Sequence, residues 1–410
     1  MKIVFASNYI NHHQLPFSNE MIGLVGDGYT FIQTEPMDEE RVKMGWDAEL
    51  CHLPFVRMYS EDPDGCMKLI NDSDVVIWGG AEREDLINDR LQAAKFTIRY
   101  SERLYREGRW KAVSPRGLIR KYHDHTRYRK SDVYLLCAGA YVAGDFDIIR
   151  AYPERKMKWG YFPELRTYSD GELEKLKGYT ETWESSSEGY REGGSEGYSE
   201  GGREGGSNSN NFGDYSRQVR LMWAGRFMEL KHPGYAVMAA IELKRLGIPF
   251  HLTITGGGDD RIEAGLHELC RADGIEDHVT FTGFMKPDEV RDNMEKSDIF
   301  LFTSDHLEGW GAVVNEAMNS GCAVVACSAA GAVPYLIEDG RNGFIFREKD
   351  TKTMIEKVVA LARDEHLRLD MGKNAYETIA EQWNAHTAAE NLMEFIRTRK
   401  FADEGPCSRA

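Results

Sequence analysis

Short apolar segments that suit buried strands alternate along this chain with longer amphipathic segments that suit helices. In the N-terminal half the predicted strands are residues 2–6, 29–34, 75–78, 96–100 and 133–137. In the C-terminal half they begin at Val219 and continue at residues 251–255, 279–282, 299–302 and 323–326. Because strands that alternate with helices form mainly parallel sheets covered on both faces, the pattern predicts two doubly wound, Rossmann-like α/β domains.

The same pattern predicts where the domains end. A first domain over residues 1–165 and a second over 218–383 are separated by a linker, and a C-terminal helix within 384–410 is expected to pack back on the first domain and end in a tail. Residues 185–211 within the linker are nearly all Ser, Glu, Gly, Tyr, Arg and Asn, and contain an imperfect octad duplication. So little apolar surface cannot offset the entropy of ordering, and a disordered insertion is predicted there.

Composition narrows the functional classes. With 410 residues and 41% apolar content the chain is large enough for two cores, and its net charge of −16 argues against a nucleic-acid binder. Seven cysteines without a CxxC pair argue against a disulfide framework or a zinc site. There is no long apolar span or secretory signal, so a cytoplasmic location is expected.

One segment reverses the acidic balance. Residues 99–130 contain eleven Lys or Arg against three acidic residues, interleaved with Tyr105, Trp110, Tyr122 and Tyr128. One interpretation is a solvated helix face with buried aromatic side chains. The other is a surface that makes peripheral contact with anionic headgroups at the inner face of a membrane, or that binds an anionic lipid-linked acceptor.

Two carboxylates, Glu308 and Glu316, stand eight positions apart after the apolar run that ends at Thr303. If a helix starts near Gly311, Glu308 lies in the preceding loop and Glu316 lies more than one turn inside the helix. Both would then face a cleft at the carboxyl ends of the strands, where open α/β sheets bind ligands.

The run E-G-W-G-A-V-V-N-E at 308–316, together with A-G-R-F-M-E-L-K at 224–231, resembles a known family. It is similar to the retaining nucleotide-sugar glycosyltransferases of the GT-B fold, the family-four group marked by E-x7-E. The resemblance is specific over residues 224–346 and architectural over the first domain. It implies two Rossmann-like domains facing across a cleft, and metal-independent transfer of a hexose-type sugar from a UDP- or GDP-linked donor to an acceptor hydroxyl, with no other cofactor.

The resemblance also assigns roles to residues of the second domain. Arg226 and Lys231 match the cations that clamp the donor diphosphate, whose negative charge grows as it departs. Glu308 is expected beside the transferred sugar, and Glu316 is expected to accept hydrogen bonds from both ribose hydroxyls. The remaining donor-site candidates are backbone groups of the loops and the residues against the base: Gly309, Trp310, Gly311, Gly257, Phe284 and Met285.

The first domain departs from the family pattern, because the polar residues 8–14 replace a glycine-rich loop after the first strand. His12, His13 and Glu102 are the candidates for contacts with the acceptor or the sugar, although each also fits a loop or capping role. The acceptor is expected to be a saccharide or a lipid-linked saccharide.

The sequence bears on three other functions. Glycoside hydrolysis needs a paired acid and base, and assigning Glu316 to the nucleotide leaves no such pair. A nucleotide-sugar epimerase of the same fold would form product from the donor alone. A catalytically silent sugar-nucleotide binding or scaffold protein is also compatible with the fold, although Glu308, Glu316, Arg226 and Lys231 are all retained.

Overall fold

The computed structural model describes residues 1–43, 46–81, 83–108, 112, 114–169, 171–179 and 217–410. Its first sheet has seven parallel strands in the order β3-β2-β1-β4-β5-β6-β7. The strands are β1 (Ile3–Ser7), β2 (Tyr29–Gln33), β3 (Val56–Met58), β4 (Val75–Gly79), β5 (Thr97–Ser101), β6 (Val133–Ala138) and β7 (Lys156–Trp159). Strands β1 and β4 are buried throughout, which is why their sequences are continuously apolar.

Helices connect these parallel strands. They are α1 (Leu15–Val25), α2 (Glu39–Lys43), α3 (Pro63–Asp72), α4 (Asn88–Gln92), α5 (Pro115–Asp124) and α6 (Val142–Ile148), followed by α7 (Glu172–Leu176) in the linker. Proline opens α3 and α5, and the side chains of Asp62 and Ser114 accept the first-turn amides of those two helices.

The second sheet has six parallel strands in the order β10-β9-β8-β11-β12-β13. These strands are β8 (Val219–Ala224), β9 (Phe250–Thr255), β10 (Val279–Gly283), β11 (Ile299–Phe302), β12 (Ala323–Cys327) and β13 (Phe344–Phe346). The order reverses between β8 and β11, and open α/β sheets bind ligands outside the strand ends at such a switch point.

The helices of the second half follow the same alternation. They are α8 (Gly234–Arg245), α9 (Asp260–Ala272), α10 (Pro287–Lys296), α11 (Val313–Asn319), α12 (Val333–Leu336), α13 (Thr351–Arg363), α14 (Glu365–Glu377) and α15 (Ala385–Thr398). Helix α15 returns to the first domain, where Phe395 packs edge-on against Tyr134 with 4.8 Å between the ring centres. The chain then runs along β7, and Lys158 and Ser408 are joined by a backbone hydrogen bond of 2.8 Å.

One apolar cluster is continuous across both domains. It contains Phe5 and Trp159 of the first domain, Trp310 and Phe302 of the second, and Trp383 ahead of α15. Two further clusters lie on the outer faces of the sheets, one in the first domain and one in the second. The two domains are therefore joined by buried surface as well as by the linker.

The predicted pair of doubly wound parallel sheets is confirmed, and each predicted strand lies within about a residue of an observed one. The short strands β3, β7 and β13 were not predicted. Helix α11 begins at Val313, so the prediction that Glu316 lies more than a turn inside it is wrong: Glu316 is in the first turn. The predicted insertion 185–211 lies outside the described residues. Among the described residues, none of the helices is both long and apolar enough to cross a membrane.

Candidate functional site

A cleft of about 1210 Å³ lies between the carboxyl edges of the two sheets. Its first-domain wall includes the loops after β1, β4 and β5, one side of α5, and Arg41 and Trp46 in and after α2. Its second-domain wall includes the loops after β8 to β11. Of the residues predicted for the site, the cleft brings together His12, His13, Glu102, Arg226, Lys231, Phe284, Met285, Glu308, Gly309, Trp310, Gly311 and Glu316.

Lys231 and Glu308 form an ion pair within this cleft. The Lys231 ammonium group donates to the Glu308 carboxylate, and both side chains are largely buried. Lys231 ends a short turn after β8, and the hydroxyl of Thr303 donates a 2.6 Å hydrogen bond to its carbonyl. The indole N–H of Trp223 donates in turn to Thr303. The cation is therefore fixed to the end of β11, close to the loop that carries Glu308.

Glycine is required where the loops after β8 and β9 meet. A side chain at Gly256, whose φ is +126°, would place its Cβ 1.9 Å from the carbonyl oxygen of Gly225. The backbone of both loops can therefore approach the cleft next to Arg226. Gly257 lies beneath the ring of Phe284, since a Cβ there would be 2.9 Å from that ring. Phe284 itself is 57% exposed, so one face is open to a flat ligand.

The loop before α11 has two different roles. Within the described chain, the backbone N–H groups of Gly309, Trp310 and Gly311 donate no hydrogen bond, and all three residues border the cleft. The side chain of Trp310 points elsewhere: it is 1% exposed and donates a 2.8 Å hydrogen bond to Asn315. The loop can thus supply N–H groups to a ligand while its indole holds the domains together.

Glu316 lines the cleft from the first turn of α11. Burial raises the pKa of its carboxyl group to about 7, and the positive charges of Arg291 and Arg166 oppose the rise. Its carboxylate makes no side-chain hydrogen bond with the rest of the described chain. A ligand that donates to this carboxylate would supply the hydrogen bonds that ionisation requires.

Glu102 bridges the two walls of the cleft. Its carboxylate accepts a 2.7 Å hydrogen bond from Tyr161 and pairs with Arg106 at 3.2 Å. It also lies against Gly309, where an added Cβ would meet a Glu102 oxygen at 2.4 Å. Arg106 reaches the carbonyl of Leu307 in the second domain at 3.5 Å. Glu102 therefore stands where a substrate bound to both domains would pass.

His12 and His13, in the loop after β1, form an aromatic group with Trp46, which follows α2. The two imidazole centres are 3.9 Å apart, and that of His12 is 4.7 Å from the indole. Burial, with Arg41 next in effect, lowers the pKa of His12 to about 4, and burial lowers that of His13 far below its usual value. Both histidines are neutral at pH 7, so they can accept as well as donate hydrogen bonds.

The basic segment 99–130 is divided between the cleft and the surface. Five of its cations line the cleft: Arg99, Arg103, Arg106, Arg120 and Lys121. Tyr105 and Tyr128 are buried, whereas Leu118, Ile119 and Tyr122 on α5 are exposed. Trp110 lies outside the described residues. The segment is thus neither a purely solvated face nor a purely outward basic surface.

Elsewhere in the described ranges, three side chains of the types that bind metal ions lie close together. Single ligand atoms of Asp305, His306 and Glu348 lie within 4.8 Å of one another, and the imidazole of His306 is 3.2 Å from the Glu348 carboxylate. None of the three lines the cleft. They therefore have no direct contact with a ligand held by Lys231 and Glu316.

Comparison with known proteins assigns the second half of the chain. Residues 208–378 match the family Glycosyl transferases group 1. The second domain is a glycosyl transferases group 1 domain. The chain is 30% identical over 183 residues to the amylovoran biosynthesis glycosyltransferase AmsK of Erwinia amylovora, covering 43% of this chain and 44% of that protein.

A mycobacterial relative matches a shorter part of the chain. The GDP-mannose-dependent alpha-(1-6)-phosphatidylinositol monomannoside mannosyltransferase of Mycobacterium tuberculosis is 30% identical over 152 residues, which are 36% of this chain and 39% of that protein. The matched segments thus span less than half the length of these curated relatives.

A solved structure matches nearly the whole chain. Anabaena Alr3699/HepE in complex with UDP and glucose superposes with a TM-score of 0.64 at 15% identity, covering 97% of this chain and 100% of that one. Such a likeness shows the fold, and the predicted GT-B architecture is confirmed.

Several residues of the cleft were missed from the sequence. Arg41 and Trp46 lie beyond the first strand without a recognisable motif, and Tyr161 stands near the end of the first domain without one. Trp223 and Thr303 read as ordinary strand residues, although they fix Lys231. Only the tertiary structure connects them to the site.

Proposed function

We propose that the protein is a retaining glycosyltransferase that moves a hexose-type sugar from a UDP- or GDP-linked donor to an acceptor hydroxyl in polysaccharide or glycolipid synthesis. The observation that carries this proposal is the Lys231–Glu308 ion pair, set beside Arg226 and Glu316 in the interdomain cleft. The named activities of AmsK and the mycobacterial mannosyltransferase support it, and so does the binding of UDP and glucose by HepE.

Different residues of the cleft bind the diphosphate, the sugar and the nucleoside of the donor. Arg226 and Lys231 hold the diphosphate, and the N–H groups of Gly309 to Gly311 bind phosphate or sugar hydroxyls. Glu308 contacts the sugar. Glu316 accepts hydrogen bonds from the ribose hydroxyls, and the base lies against Phe284 and Met285.

The reaction needs no metal in this scheme. The acceptor hydroxyl attacks the anomeric carbon from the face on which the diphosphate departs. A new glycosidic bond forms as the bond to the diphosphate oxygen breaks, and the hydroxyl proton passes to the departing diphosphate. Arg226 and Lys231 stabilise the charge that develops there, while closure of the domains excludes water.

Helix α5 supports peripheral contact with a membrane. Leu118, Ile119 and Tyr122 are exposed on it, and Arg116 lies on the same helix. Apolar side chains beside cations suit the interface of an anionic bilayer. In this proposal the protein works at the inner face of the membrane, and a saccharide or a lipid-linked saccharide reaches the cleft past α5.

The stereochemistry of slow donor hydrolysis tests the proposal without a known acceptor. Proton NMR of UDP-α-glucose or GDP-α-mannose with the protein should first show the free α-anomer, with the same rate in EDTA. Release of the β-anomer would contradict retention, and loss of activity in EDTA would contradict metal independence. A second nucleotide sugar formed from the donor alone would indicate an epimerase instead.

A further inference from the structure

The first-domain wall of the cleft is basic in a chain of net charge −16. Among the described residues that line the cleft, six cations on this wall face three acids: Arg41, Arg99, Arg103, Arg106, Arg120 and Lys121 against Glu84, Glu102 and Asp124. None of these cations belongs to the proposed donor site. The net positive charge of this wall suits an anionic substrate other than the donor.

Arg99 lies at the base of this wall. Its side chain is almost fully buried, and one guanidinium nitrogen, Nη2, donates to both oxygens of Glu84 at 2.6 and 2.8 Å. The other nitrogen, Nη1, is buried without a hydrogen-bond partner among the described residues. A buried donor of this kind favours an acceptor atom that the surrounding chain does not supply.

Arg120 and Lys121 lie on α5 and, like Arg99, line the cleft. Arg120 is paired with Asp124 at 3.5 Å, but the side chain is 77% exposed, so the pair adds little and can open. Lys121 lies over the ring of Tyr105 at 5.0 Å. Burial lowers the pKa of the neighbouring His125 well below its usual value, and the charges of Arg99, Lys121 and Arg120 lower it further. His125 and these three cations all line the cleft.

We propose that Arg99, Arg120 and Lys121 bind a phosphate group of the acceptor, so that the substrate class is a phosphate-bearing saccharide or lipid-linked saccharide. This inference rests on the proposed function, because it assigns the first-domain wall to the acceptor. The phosphate accepts hydrogen bonds from the cations of α5 and approaches Arg99. An attached lipid would pass Leu118 and Ile119 on the exposed side of the same helix.

Binding of simple phosphates tests this site without an acceptor assay. Calorimetry with glucose 6-phosphate, and with glucose as the neutral control, is run on protein saturated with UDP so that Arg226 and Lys231 are occupied. In the double variant Arg120→Gln/Lys121→Gln, the affinity for glucose 6-phosphate should fall at least about tenfold. Arg116→Gln, an exposed cation of α5 that does not line the cleft, should leave the affinity unchanged.

A parallel comparison separates the two sources of phosphate. Phosphatidylglycerol and phosphatidylcholine vesicles are tested with the same variants. Loss of glucose 6-phosphate binding in the double variant indicates a saccharide phosphate, and selective loss of phosphatidylglycerol binding indicates a lipid phosphate. Equal binding of glucose and glucose 6-phosphate together with unchanged vesicle binding overturns the inference, as does an equal loss of glucose 6-phosphate affinity in Arg116→Gln.

The experiment distinguishes a wrong donor site from a wrong phosphate site. If UDP does not bind, the donor site is wrong. The comparison of the double variant with Arg116→Gln can then be repeated without nucleotide, in a Lys231→Ala background. Melting temperatures of all variants confirm that each is folded before affinities are compared.

Discussion

The ammonium group of Lys231 is the ion-pair partner of Glu308, a residue 77 positions later in the chain. The pair joins the turn after β8 to the loop after β11, at the switch point of the second sheet. A cation assigned to the diphosphate and a carboxylate assigned to the sugar are thus held together by the fold. Changing either one leaves the other charge without its partner.

Replacing Lys231 by alanine should lower turnover by roughly a hundredfold, or about 3 kcal/mol, because a fixed charge beside the departing diphosphate is lost. Turnover of the donor, measured as release of UDP or GDP, checks this. Lys352→Ala is the matched control, since Lys352 is exposed on α13 and remote from the cleft. Equal rates for the two variants would remove Lys231 from the mechanism.

Glu316 should make donor affinity depend on pH near neutrality. Its pKa is about 7, so below that pH it is increasingly protonated and accepts fewer hydrogen bonds from ribose. UDP affinity should therefore fall as pH decreases from 8 to 6, and Glu316→Gln should bind weakly with less dependence on pH. Calorimetric titrations at several pH values provide the measurement, and an unchanged pH profile in the variant would contradict the assignment.

Ionisation of the Glu316 carboxylate should lower the stability of the folded protein at high pH. The folded pKa of about 7 exceeds the ordinary value of 4.5, so the native state binds more protons between these values and stability falls as pH rises through them. Glu316→Gln should raise Tm at pH 8 by roughly 2–4 °C, which corresponds to on the order of 1 kcal/mol, and by less at pH 5. A larger gain at pH 5 than at pH 8 would show that the sign is wrong.

Trp310 should matter more for stability than for donor contacts. Its indole packs beside Tyr161, Tyr335 and Trp383, and a Cβ at Gly160 would lie 2.3 Å from it. Trp310→Ala should destabilise the protein by about 3–5 kcal/mol, as expected for a truncated core aromatic. Trp310→Phe retains a ring and loses the bond to Asn315, so calorimetry should show a smaller loss, about 1 kcal/mol. Similar losses in both variants would argue against a packing role.

The exposed side of α5 should determine membrane recruitment. Replacing Leu118 and Ile119 by serine should reduce flotation with phosphatidylglycerol vesicles by about tenfold for each side chain that enters the interface. Met238→Ser, an exposed apolar residue on α8, is the control. Unchanged flotation of the α5 variant would exclude this helix as the contact.

The sequence could predict the long, buried strands because their residues are apolar at consecutive positions. Strand β7 reads Lys-Met-Lys-Trp, and β3 and β13 have three residues each, so their patterns are too short or too mixed to identify. Their positions are set by pairing with β6, β2 and β12. Edge strands of this kind depend on tertiary context.

The second-domain wall of the cleft was similarly accessible from the sequence, whereas on the first-domain wall the sequence offered only His12, His13 and Glu102. Glu308 and Glu316 stand in a recognisable motif, and the loop and helix that carry them follow a predicted strand. The flanking glycines of Trp310 suggested a ligand-binding loop, whereas its burial depends on Gly160 and Trp383 from distant parts of the chain. Contacts of this kind have no local signature in the sequence.

Thermal shift with nucleotide sugars tests the central claim most directly, because a ligand that binds the native state raises Tm with concentration. UDP-, GDP-, ADP- and CMP-sugars are compared on the unmodified protein and on Lys231→Ala and Glu316→Gln. A UDP- or GDP-sugar should raise Tm of the unmodified protein, and the shift should shrink in both variants. No shift with any of the four, or an equal shift in all three proteins, would contradict a donor site in this cleft.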